Sequence, residues 1–94
     1  MAGGQYKTAS ITAQNTFTDS LGLHGSFNIS ISGTWTATVT VQRSFDSGIT
    51  WLDVESFTAN TEQYGFEPED GVLYRAGVKT GNFTSGTVVL RISQ

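Results

Sequence analysis

The chain has no cysteine, one proline (Pro68), one histidine (His24) and few charges, and each shortage excludes something. Without cysteine, neither a disulfide nor a thiolate metal site can staple a small fold. With one histidine and no cysteine, no Ser-His-Asp or Cys-His arrangement for nucleophilic catalysis is visible. Charged residues make up 14% of the sequence, against about 25% in typical soluble domains. The net charge of −3 and pI near 4.7 provide no electrostatic footprint for nucleic acid. The five basic residues, Lys7, Arg43, Arg75, Lys79 and Arg91, are scattered along the chain. No apolar run reaches the roughly 18 residues of a membrane span, and the first residues lack the apolar centre of a signal peptide. The expectation is a protein made in a cytoplasm without classical export, with no nucleic-acid or membrane partner.

Ser, Thr and Gly fill the space that charges leave. Ninety-four residues make one small domain, marginal unless it is well packed or assembled with partners. Threonine-rich strands with hydroxylated outer faces suit a surface that another protein covers.

From Gly25 onward a period of two dominates. Phe27, Ile29 and Ile31 alternate with serines and an asparagine. After Gly33, Trp35, Ala37, Val39 and Val41 alternate with threonines and Gln42. Gly33 reads as a tight hairpin or as a bulge within one bent ribbon. Residues 67–71 read as a turn by composition, and residues 80–86 as a loop. Val72, Tyr74, Ala76 and Val78 form one core face, and Val88, Leu90 and Ile92 another. No helical period appears. The pattern predicts an all-β fold: a single small antiparallel β-sandwich or jelly-roll-like barrel of six to eight strands over residues 21–94. Residues 1–20 read as a flexible or partner-bound N-terminal arm, with Ile11 and Phe17 able to pin an edge strand to the core. Little order is expected over residues 2–10 of the isolated chain.

The octapeptide Ser44-Phe45-Asp46-Ser47-Gly48-Ile49-Thr50-Trp51 has the spacing S-x-D-x-G-x-T-W. It resembles the Asp-box hairpin of sialidase propellers and of many unrelated β-proteins. The resemblance covers eight of the 94 residues, concerns local structure only, and occurs once, so no propeller follows. In this reading Asp46 accepts hydrogen bonds from N–H groups of its own turn. Ser44 and Thr50 pair across the base, Gly48 supplies positive φ and Trp51 packs beneath. Each residue type then has a role in folding, so the structural reading outweighs a sugar- or calcium-contacting loop.

The acidic residues Glu67, Glu69 and Asp70, with Asp46 and Asp53 as possible neighbours, fit no calcium-loop spacing. They read as a solvated turn. A paired-carboxylate glycosidase needs two carboxyls across a cleft, which so small a domain is not expected to provide. No catalytic, cofactor or metal residue is assigned. Among the aromatics, Trp35 and Tyr74 read as core and Phe83 as the exposed one. Tyr6, Lys7, Ile11, Phe17 and Phe83 are the candidate interaction residues.

The runs Val41-Gln-Arg-Ser-Phe-Asp-Ser-Gly-Ile-Thr-Trp-Leu-Asp-Val54, Glu67-Pro-Glu-Asp-Gly-Val-Leu-Tyr-Arg75 and Thr84-Ser-Gly-Thr-Val-Val-Leu-Arg-Ile-Ser-Gln94 resemble small virion proteins of tailed bacteriophages. The resemblance spans about residues 25–94 and names no binding residue. It implies a β-sandwich or jelly-roll structural protein, such as a head decoration (cement) protein that is not an enzyme. The implied partner is the major capsid protein, the implied state a homo-oligomer such as a trimer, and the implied location the virion, assembled in the host cytoplasm. The alternatives are a carbohydrate-binding or adhesion module on the virion surface or tail, using Phe83, Tyr64 and loop carboxylates, and a tail or connector component.

Overall fold

A computed structural model describes residues 5–94, and within them the regular secondary structure is all strand, without helix. The elements are β1 (Tyr6–Ile11), β2 (Thr16–Phe17), β3 (Leu21–Ser44), β4 (Leu52–Phe57) and β5 (Thr61–Ser93). They form one antiparallel sheet in the order β1-β5-β3-β4, with β2 also on β5.

The count of six to eight strands becomes five because β3 and β5 run through glycine bends instead of stopping at them. Gly33 (φ 100°) and Gly86 (φ 92°) lie in registered segments, where Gly33 pairs with Val88 and Trp35 with Gly86. Both conformations belong to the region that glycine enters without a Cβ clash. Residues 28–31 of β3 pair with 61–64 of β5 on one side and with 90–93 on the other. Residues 39–43 pair with β4 on one side, and residues 39–44 with 73–78 of β5 on the other. The ribbon that Gly33 was expected to bend is therefore present, and β5 wraps around it.

Residues 67–71 do not end a strand. Glu67 pairs with Gly25 and Val72 with Leu23, so the segment bows out opposite His24. Gly71 takes φ 78° within the excursion. Residues 80–86, expected as a loop, likewise continue β5 through a register shift between Val78 and Phe83.

The core follows the alternation. Leu21, Leu23, Phe27, Ile29, Ile31, Val39 and Val41 of β3 meet Val72, Tyr74, Ala76, Val78, Val88, Leu90 and Ile92 of β5, all buried. Phe27 and Tyr74 stack tilted, with ring centroids 4.8 Å apart.

The arm expectation is corrected over the described residues, while residues 1–4 lie outside them. β1 pairs in register with the C-terminal part of β5, from Tyr6 with Ser93 to Ile11 with Val88, and Ile11 is 0% exposed. Thr18 donates its N–H to the Ala76 carbonyl at 2.8 Å, and its buried hydroxyl accepts from the Ala76 N–H at 3.2 Å. Gln94 donates its N–H to the Gln5 carbonyl at 2.8 Å. The cause is an edge that would otherwise be open: residues 88–93 have β3 on one side only, and β1 satisfies the other.

Candidate functional site

The octapeptide turn forms as its residue types require. Ser44 Oγ accepts N–H bonds from Gly48 at 2.8 Å and Asp46 at 3.3 Å, and donates to Asp46 Oδ1 at 2.7 Å. Asp46 Oδ1 also accepts from the Thr50 N–H at 2.8 Å. Ser44 and Thr50, expected to pair with each other, each pair with Asp46 instead. Gly48 has φ 91°, and Ser47 is a second left-handed residue at 62°. The Trp51 ring lies 3.6 Å from where a Gly48 Cβ would stand, so it does pack beneath the turn.

The acidic residues do not converge. Asp70 meets His24 Nδ1 at 3.3 Å on the surface, and Asp53 receives Lys79 Nζ at 2.7 Å and Gln42 Nε2 at 2.9 Å. Among the described residues no three His, Cys, Asp or Glu side chains are grouped as metal ligands. Glu67, expected in a solvated turn, is 1% exposed. It accepts from Tyr74 Oη at 2.7 Å, Arg43 Nη1 at 2.9 Å and the Glu69 N–H at 3.0 Å.

Three carboxyls are held below their ordinary range. The Thr50 N–H, then the Ser44 hydroxyl, bring Asp46 down to about 2. Lys79, then Gln42, lowers Asp53. Burial pushes Glu67 upward, but Tyr74, the Glu69 N–H and Arg43 together outweigh it and leave it lowered. A carboxyl lowered by folding stabilises the fold above its unfolded value near 4, and that stabilisation is lost as pH falls through the lowered value. Stability to urea is therefore expected to decline between about pH 4 and 2. Asp46→Asn should make that decline shallower; an acid limb unchanged by the substitution would show that Asp46 carries none of it.

One outer face of the sheet is an exposed surface with a consistent chemistry. Registered partners share a face, which defines two rows across four sheet segments. One row is Thr8, Arg91, Ser30 and Glu62; the other is Tyr6, Ser93, Asn28 and Tyr64. Ser26 stands opposite Phe66, and Val89 opposite both Ser10 and Ser32. Ser30 Oγ donates to Glu62 Oε2 at 2.6 Å, Arg91 Nη1 donates to Ser93 Oγ at 3.0 Å, and the Arg91 guanidinium lies 5.0 Å from the Tyr6 ring centroid. Tyr64, Phe66 and Tyr6 are 78%, 67% and 58% exposed. Two shallow depressions of about 520 and 400 Å³ lie along it, floored by hydroxyls and Arg91. The face presents hydrogen-bond donors and acceptors with aromatic margins; of its two charged side chains, Glu62 accepts from Ser30 and Arg91 stacks on Tyr6.

Of the candidate interaction residues, the structure places Tyr6 on this face and Lys7 half-buried on the alternate side of β1. Ile11 is core and so is withdrawn from any surface. Phe17 is half-buried, with the Arg75 guanidinium 4.0 Å from its ring centroid. Phe83 is corrected as well: it packs, partly buried, against the core because residues 80–86 continue β5. Trp35 is half-buried against the core and donates Nε1–H to Asn60 Oδ1 at 2.8 Å. The period of two puts Tyr64 and Phe66 on one face of a strand but does not say which side. The signal was Gly65 between them: a Cβ there would stand 2.8 Å from Phe27 Cζ, so Gly65 faces the core and its neighbours face out.

No family model, curated protein or solved structure matches the chain.

Proposed function

We propose that the chain is a non-enzymatic structural protein of a bacteriophage virion, a capsid decoration protein whose outer sheet face docks on the major capsid protein. The observation that carries this reading is the pairing of exposed Tyr64 and Phe66 with the hydroxyl rows of β1, β3 and β5. Exposed aromatics over a surface with few charged side chains are what protein interfaces concentrate. In finer architecture the folded ribbon is a small sandwich of jelly-roll type. A shortest Cα extent of 17 Å suits two layers about 10 Å apart.

Binding falls on the face and not on the arm, since residues 6–11 are engaged by their own sheet. The β4 edge does not favour self-pairing. An antiparallel partner copy centred on Val54 would set Asp53 against Glu55, and like charges directly opposite are destabilising. A homo-oligomer such as a trimer would use other surfaces, and lattice symmetry would add avidity to weak contacts.

Tyr64→Ser combined with Phe66→Ser is expected to weaken retention on purified capsids by tenfold or more while leaving thermal stability nearly unchanged, because both side chains are exposed. Capsids lacking the protein are expected to lose resistance to heat and osmotic shock. Equal resistance with and without it would end this reading. The same two aromatics also support a second reading, a carbohydrate-binding module on virion surface or tail; saturable binding on a glycan array, lost in the double variant, would select it.

A further inference from the structure

Arg75 projects from β5 on segments that share no residue with the aromatic face. Its guanidinium carbon lies 4.0 Å from the Phe17 ring centroid and 4.3 Å from that of Trp51, and Nε donates to Gln42 Oε1 at 2.9 Å. Gln42 is itself fixed, because its amide donates to Asp53 Oδ1 at 2.9 Å. Two rings and one hydrogen bond thus hold a group that ordinarily has several rotamers.

What the group lacks is an anion. Among the described residues Arg75 has no carboxylate within salt-bridge distance, and its two terminal nitrogens have no acceptor. They are not sealed in, since no buried side-chain nitrogen or oxygen is left without a partner. They border a shallow concavity of about 420 Å³ formed with Asn15, Phe17, Gln42, Lys79 and Thr80. Arg75 and Lys79 against Asp53 leave one positive charge at this spot, in a chain whose net charge is −3. Partial burial disfavours the charged guanidinium. An anion in the concavity would offset that cost.

We propose that this concavity is a receptor for the carboxylate of an acidic side chain on a partner polypeptide, taken by the two terminal nitrogens of Arg75. The fork is the free end of the guanidinium, because Gln42 occupies the Nε side, and its planar geometry matches a carboxylate. Lys79 adds positive potential, and the Asn15 amide supplies a neutral polar group on the rim. The site needs no virion partner to be tested, so its failure and the failure of the docking face are separate results.

The test is an NMR titration of the folded, isotope-labelled chain at constant ionic strength, observing the Arg75 Nε–H and Trp51 indole N–H resonances. The probe is the blocked peptide acetyl-Gly-Glu-Gly-amide, compared with acetyl-triglycine bearing a free C-terminus, with inorganic phosphate and with chloride. Saturable shifts are expected with the glutamyl peptide, with a dissociation constant in the millimolar range that a single exposed ion pair supports. Arg75→Lys, which keeps the charge and loses the fork, is expected to weaken binding about tenfold. Arg75 also supports Phe17 and Trp51, so Lys79→Met serves as a variant outside the stack; it should weaken binding about threefold with the fold intact. No saturable shift, shifts with phosphate or the free terminus alone, or affinity unchanged by both substitutions would overturn the proposal.

Discussion

Gly86→Ala is expected to lower the unfolding free energy by about 2–6 kcal/mol, from two sources that add. A side chain held at φ 92° costs about 1–3 kcal/mol. The new Cβ would also run into the Thr34 carbonyl and the Trp35 backbone, and relieving such overlap costs typically about 1–3 kcal/mol. The obstacle is main chain in a paired strand, so it cannot rotate away as a side chain would. Gly33 faces the Thr87 carbonyl in the same manner from the other strand, which makes the two bends one structural unit. A domain of this size has about 5–14 kcal/mol in total, so the midpoint of thermal unfolding should fall by roughly 10–45 °C. Gly71 is the control: it too has positive φ (78°), but nothing lies within 4 Å of its added Cβ. Gly71→Ala should cost only about 1–2 kcal/mol. Calorimetry giving equal losses for both would show that backbone crowding at the bend contributes nothing.

The second large effect is at Glu67. Truncation to alanine removes the acceptor of three hydrogen bonds, and a loss of about 2–4 kcal/mol is expected. The loss stays below the most severe values for broken buried pairs because the Arg43 side chain is 35% exposed and can turn to water. The Tyr74 hydroxyl cannot, with Tyr74 2% exposed. Tyr74→Phe alone should cost about 1 kcal/mol, since the carboxylate keeps Arg43 and the Glu69 N–H. The double variant should cost less than the sum, because each single change already removes the shared bond. Additive losses would mean that the Tyr74–Glu67 hydrogen bond adds nothing to stability.

Alkaline titration gives an independent reading of the same cluster. Burial, then the Glu67 carboxylate, pushes the Tyr74 phenol up to about 12. A group raised by folding contributes its full stabilisation below its unfolded value near 10, and loses it as pH rises through 12. That contribution is on the order of 2 kcal/mol. Wild type should therefore lose stability relative to Tyr74→Phe between pH 10 and 12.

How legible these features were depended on the distance over which each is decided. The octapeptide turn was readable because its hydrogen bonds span two to four residues, from Ser44 to Gly48 and from Asp46 to Thr50. The strands were readable because burial on one face imposes alternation on each segment separately. Glu67 was misread for the opposite reason. In sequence it belongs to an acidic turn, and only Arg43, 24 residues away, and Tyr74 on the next arch of β5 make it a buried partner. Phe83, expected to be exposed, was misread on similar grounds, and the side taken by Tyr64 and Phe66 was left open. A strand's period says that two residues share a face but not which face meets the core, and here the nearness of Gly65 to Phe27 decides it.

Residues 5–20 mark the boundary most clearly. Their sparse apolar residues read as an arm because little in the segment can bury itself locally. Ile11 becomes core only because the C-terminal edge at residues 88–93 is there to receive β1, some 80 positions further along the chain. Composition and period settled an all-β, cysteine-free domain with one pre-written turn, since those follow from the backbone and from near neighbours. Pairing across the chain settled what is buried, what is exposed and, among the described residues, that Arg75 has no carboxylate beside it, since burial and charge compensation belong to neighbours in space.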